Sequence, residues 1–157
     1  RLLRTLGKGM TCAGALAFDQ SDNLYVANYV SGAPNCKGDI TIYEYGFTRL
    51  TGRITKGLAG PVAMTFENTQ SLWVANNLND TVSEYGESSR DPFRIISTGV
   101  KKPTGVAISI LGELFVASAG SGEGWISVYK AGQMTPGRKI TDGIDDPRAI
   151  ELVGLAQ

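Results

Sequence analysis

The sequence predicts an all-β protein assembled from a repeated four-strand unit, and three observations carry that prediction. One pentapeptide occurs three times, as Leu24-Tyr25-Val26-Ala27-Asn28, Leu72-Trp73-Val74-Ala75-Asn76 and Leu114-Phe115-Val116-Ala117-Ser118. Each copy travels with three further short segments, rich in β-branched and aromatic side chains and bounded by Gly, Pro, Asn, Asp or Ser, which is how strands read. No stretch shows a helical period of useful length.

The elements follow in order within each unit. Strand a precedes the pentapeptide, at residues 15–18, 63–66 and 105–108. One alternate set is small (Ala15 and Ala17, Ala63 and Thr65, Gly105 and Ala107) and the other larger, which suits a crowded inner strand. The pentapeptide is strand b. It is apolar on both faces, as a sheet sandwiched between neighbours requires, and Tyr25, Trp73 and Phe115 are expected to pack between units. Strand c is read at 41–45 and 81–85 and, more loosely, at 125–129, with Tyr45, Tyr85 and Tyr129 as repeated packing residues. Strand d closes each unit at 53–55, 94–96 and 138–140.

Four strands repeated every 40 to 50 residues or so are the pattern of a β-propeller blade, a small sheet packed radially about a channel. Complete blades are expected at 12–57, 60–99 and 103–143. Residues 4–7 read as a lone strand d, and residues 147–150 as a lone strand a in the manner of Pro61 and Pro103, giving partial blades at 1–9 and 147–157. Propellers close with about four to eight blades. The expectation is a partial propeller whose ring is completed by missing blades or by another chain.

Composition excludes several classes of function. The 157 residues, 42% hydrophobic, are ordinary for one globular domain, and the 15 basic and 15 acidic side chains cancel. Without bulk positive charge no nucleic-acid partner is expected. No apolar run approaches the roughly 20 residues of a membrane span. The absence of histidine rules out Ser/His/Asp triads and HExxH zinc sites in this segment, and two cysteines cannot form a four-thiolate metal site. No metal or other cofactor is expected.

The stretches "LYVANYVSG", "LWVANNLNDTVSEY" and "PTGVAISILGELFVASAG" resemble the repeats of the NHL, SMP-30/gluconolactonase-like and YVTN group of β-propellers, over nearly the whole chain. That resemblance implies a propeller fold shared by binding scaffolds, lactonases and lyases. It also implies where catalysis would sit. Lactonase-like members hold a metal through carboxylates and an Asn in a Pro-Asn-Gly turn at the start of inner strands. The matching positions here, Pro61-Val62-Ala63, Pro103-Thr104-Gly105 and Pro147-Arg148-Ala149, lack the Asn. The lyase members use a histidine, which this chain does not have.

Other residues are weighed on topology. In a propeller the d–a and b–c connections share one face. Cys12 precedes strand a of the first blade and Cys36 lies in its b–c loop, so the two are expected to form a disulfide, with two free thiols as the alternative. The same face carries polar loops, and Asn28, Asn76, Asn77, Asn79 and Trp125 are the candidate ligand-binding residues. Asn79-Asp80-Thr81 is also a glycosylation sequon. Asp19 and Asp22 join strands a and b where a turn is needed, and neither they nor Asp142, Asp145 and Asp146 follow a calcium-loop spacing. Basic residues on the outer strands, Arg53, Arg94, Arg138 and Lys139 among them, read as protection of an exposed edge. The functional expectation is a non-catalytic binding or structural module, extracellular or on the cell surface, with a protein or glycan partner. The alternatives are part of a lactonase- or lyase-like enzyme with its catalytic residues outside this segment, and a self-assembling structural protein.

Overall fold

Alternating side chains and closely spaced turn residues produce the strands of the computed structural model, which describes residues 9–29, 36–46, 49–68, 70–120 and 122–152. The first sheet holds β1 (Ala13–Phe18), β2 (Leu24–Asn28), β3 (Ile40–Tyr43) and β4 (Leu50–Ile54). The second holds β5 (Pro61–Phe66), β6 (Leu72–Asn76), β7 (Thr81–Tyr85) and β8 (Arg94–Ile96). The third holds β9 (Pro103–Ile108), β10 (Leu114–Ala119), β11 (Gly124–Tyr129) and β12 (Arg138–Ile140). Each is a four-stranded antiparallel meander in sequence order. The protein is all-β, and no described residue is helical. Residues 4–7 lie outside the described residues.

The three pentapeptides are β2, β6 and the start of β10, and the ladders fix their register. Leu24 pairs with Tyr43, Leu72 with Tyr85 and Leu114 with Tyr129. The repeated tyrosine of the first sheet is therefore Tyr43, 3% exposed, and not Tyr45, which is 73% exposed. A slip of two residues keeps every side chain on its expected face, so alternation alone could not detect it. The a–b turns are built locally. Asp19 accepts the backbone N–H groups of Ser21 and Asn23 at 2.9 Å each, and Asp22 takes a left-handed φ of 57°.

The core lies between sheets. Ala27, Ile40 and Ile54 of the first sheet meet Met64, Leu72, Val74 and Tyr85 of the second, and Tyr25 meets Phe66 edge to face at 4.9 Å. Trp73, Ala75, Val82 and Ile96 of the second sheet meet Val106, Leu114, Val116 and Tyr129 of the third in the same way. The small residues of the inner strands permit this, because β1 packs beside β5 and β5 beside β9. On the flank of the first sheet that no other described sheet covers, Leu16 is 61% exposed, whereas its equivalents Met64 and Val106 are 9% and 5% exposed. Residues 147–150 do not form a strand, a correction to the sequence reading, since no described strand pairs with them.

Candidate functional site

A polar clasp recurs where each sheet meets the segment leading into it. The side chain at the end of strand b accepts a backbone N–H from that segment: Asn28 from Thr11 at 3.0 Å, Asn76 from Ala59 at 3.2 Å and Ser118 from Lys101 at 3.3 Å. Strand c adds hydroxyl donors. Ser83 donates to the Gly57 carbonyl and Tyr85 to the Lys56 carbonyl, both at 2.7 Å; Ser127 donates to Gly99 and Tyr129 to Thr98, again at 2.7 Å. Burial pushes the Tyr85 phenol up to about 12, and burial raises Tyr129 in the same direction. These hydroxyls stay protonated and act as donors.

The clasp changes the meaning of two predicted binding residues. Asn28 and Asn76 are completely buried. The Asn28 amide donates to Asp39 at 2.7 Å, and that of Asn76 reaches Ser83 at 2.9 Å and Gly57 at 3.2 Å. They hold the sheet to its linker. The loop composition suggested exposure; the ladder instead turns both side chains inward.

The other candidates remain at the surface with defined jobs. Asn77 donates to the Pro103 carbonyl at 3.1 Å, tying the second sheet to the inner strand of the third. Asn79 is exposed, and its carbonyl accepts the Thr81 hydroxyl of its own sequon at 2.8 Å. Trp125 is half-buried, with its indole N–H on the Gly99 carbonyl at 3.1 Å and the Lys139 ammonium 3.8 Å from its ring centroid. It borders a cleft of about 520 Å³ shared with Lys139, Gly143 and Ile144. The five candidates thus do not converge on one site.

Cys12 and Cys36 are bonded, their Cα atoms 5.3 Å apart, which joins the entry to β1 with the loop before β3. Two of the basic residues on the outer strands are paired, Arg53 with Asp39 and Arg94 with Glu84, and in the linker before β9 Lys101 holds Asp80 at 2.7 Å. That hydrogen bond, with one from the Lys102 amide, holds the Asp80 carboxyl below its ordinary value.

Sequence reasoning missed Glu84. It stands opposite Trp73 on the ladder, where the other sheets carry Ile42 and Val128, and it is 5% exposed. Arg94 Nε lies 3.1 Å from its Oε2, close enough to pair in charge, yet that oxygen accepts no hydrogen bond among the described residues. Burial pushes the Glu84 carboxyl up to about 7 against the pull of Arg94, with Glu67 adding to the rise. A second cleft of about 550 Å³ lies along the inner strands, lined by Leu16, Met64, Thr65, Val106 and Ile150 among others. No group of three or more metal-ligating side chains occurs among the described residues, and no helix there is long and apolar enough to cross a membrane.

This geometry defines a class: an all-β repeat protein whose three sheets pack through apolar cores, each held to the segment leading into it by the same clasp. Comparison with solved structures places the same fold in hydrazine synthase of Kuenenia stuttgartiensis, with a TM-score of 0.75 and 21% identity over 95% of this chain and 41% of that one. The chain thus spans about two fifths of that structure's length. At this identity the likeness is one of fold. No family model and no curated protein matches the chain.

Proposed function

We propose that the chain is a non-catalytic binding or structural segment of a β-propeller related to the NHL, SMP-30-like and YVTN repeats, with its sheets arranged radially as blades. The observation that carries this reading is the order of the inner strands: β1, β5 and β9 lie side by side, and one cleft runs along all three. Repetition of the clasp supports it, because one contact repeated head to tail with a constant rotation arranges its units around an axis. The polar side chains at the ends of β2 and β6 that read as ligand-binding candidates hold each sheet to the segment leading into it. Interaction then falls to the exposed loops and to the outer flanks. The disulfide supports an oxidising location, extracellular or at the cell surface.

Small-angle scattering from the purified chain tests the architecture. A wedge of three fanned sheets is expected, and a profile fitting a parallel stack would sink it. Turnover of a lactone panel by the same preparation would overturn the non-catalytic part.

A further inference from the structure

The series of inner strands continues past β9. Residues 147–152 run beside it: Thr104 Oγ1 donates to the Pro147 carbonyl at 2.5 Å, and a Cβ on Gly105 would stand 2.8 Å from the Ile150 nitrogen. Aligned on their prolines, Pro147, Ala149, Ile150 and Leu152 occupy the places of Pro61, Ala63, Met64 and Phe66. In the second sheet those residues ladder onto β6, with Pro61 opposite Asn76, Ala63 opposite Ala75, Met64 opposite Val74 and Phe66 opposite Leu72. Among the described residues, 147–152 have no such strand.

The linker before this segment repeats as well. Gly9, Gly57, Gly99 and Gly143 have φ of 89°, 69°, 81° and 69°, a region that favours glycine, and each precedes an apolar residue. At the second and third linkers a Ser-x-Tyr pair of the following sheet holds two carbonyls, those of Lys56 and Gly57 and those of Thr98 and Gly99. The matching carbonyls of the fourth linker belong to Asp142 and Gly143. No described residue donates to either, and the cleft beside Trp125 and Lys139 opens at this point.

The geometry points to residues 142–152 as a docking site for one β-hairpin of the repeat's own b–c kind: a Leu-aromatic-Val-Ala-Asn/Ser strand laddered onto 147–152, and a Ser/Thr-x-Tyr strand donating to Gly143 and Asp142. This inference rests on the radial reading above and names the chemistry of the next element in the series. Continuity with two existing interfaces selects the occupant. A second intact copy does not fit the role. Its β6–β7 and β10–β11 hairpins already hold their own linkers, and its Tyr43 hydroxyl lies against its own Gly9, where a Cβ would be 3.2 Å away.

The test leaves the chain unaltered. A second copy of residues 71–86 is fused after Gln157 through a flexible Gly/Ser linker, which supplies an effective concentration near the millimolar range. Against a scrambled fusion, the melting temperature is expected to rise by about 5 °C, and amide exchange at Ala149, Ile150 and Glu151 to slow at least tenfold. The same sequence added as a free, cross-linked hairpin should bind, and its version with Ser83→Ala and Tyr85→Phe should bind about tenfold more weakly, as loss of two neutral hydrogen bonds implies. Equal melting and exchange for native and scrambled fusions overturn the proposal, as does equal affinity of the two hairpins. Dimerisation of the unfused chain in sedimentation velocity, abolished by blocking 147–152, would make a second copy the occupant and also overturn it. Scattering from the unfused chain judges the radial arrangement independently, so the two failures are distinguishable.

Discussion

The indole N–H of Trp125 donates to the Gly99 carbonyl at 3.1 Å, a bond that takes over the task of the Asn76 amide, 3.2 Å from Gly57 in the preceding sheet. The third sheet has Ser118 where the second has Asn76, and Trp125 sits opposite Ser118 on the ladder as Thr81 sits opposite Asn76. The donor has crossed to the neighbouring strand while the acceptor has stayed. Replacing Trp125 by Phe keeps most of the ring and removes the donor. Urea denaturation should show a loss of about 1 kcal/mol, and an unchanged midpoint would refute the substitution of one donor by the other.

Asn76→Ala removes a buried hub that accepts from Ala59 and donates to Ser83 and Gly57. The expected cost is about 2 to 4 kcal/mol, because several buried polar groups lose their partner together. Asn79→Ala, on the exposed turn nearby, should stay within about 0.5 kcal/mol of the parent. Equal destabilisation by both would contradict the distinction between clasp and loop.

Glu84 gives the protein a pH dependence with a definite sign. Its carboxyl is raised from an ordinary 4.5 to about 7, chiefly by burial. The folded state therefore holds a proton that the unfolded state has released, and stability declines as pH rises from 4.5 to 7. The decline is as much as about 3 kcal/mol at its largest. Glu84→Gln should flatten the profile over that interval, and Glu84→Val, copying Val128 of the third sheet, should raise stability above it. A wild-type profile that climbs through this window would exclude the assignment.

The Cys12–Cys36 bond closes a loop of sequence separation 24. Loss of the cross-link should cost about 3 kcal/mol through the entropy of the unfolded chain. Denaturation of the parent against a Cys12→Ser/Cys36→Ser variant measures it. A difference below about 1 kcal/mol would mean that the residues around it hold this edge of the first sheet without the bond.

Tyr85→Phe and Tyr129→Phe should each cost about 1 kcal/mol, since each uncovers a linker carbonyl that the phenol had satisfied. Tyr45→Phe should change nothing measurable, because Tyr45 projects into solvent. Calorimetric melting of the three variants separates the packed tyrosines from the exposed one.

The sequence by itself determined the all-β class, the three four-strand units and the order of strands in each, and it left the Cys12–Cys36 bond as an expectation beside two free thiols. The first three follow from local alternation, turn chemistry and repetition, which are written along the chain. Only the tertiary structure decided that Asn28 and Asn76 are clasps, that Tyr43 and not Tyr45 is the repeated tyrosine, that Trp125 spends its N–H on Gly99, and that a carboxyl is buried at Glu84. Each depends on a partner brought in from a linker or a neighbouring strand, or on a register that a two-residue slip leaves looking the same. A side chain's type fixes what it can bond. Its neighbours across the fold fix what it does bond, and those neighbours are 17 residues away for Asn28 and 26 for Trp125.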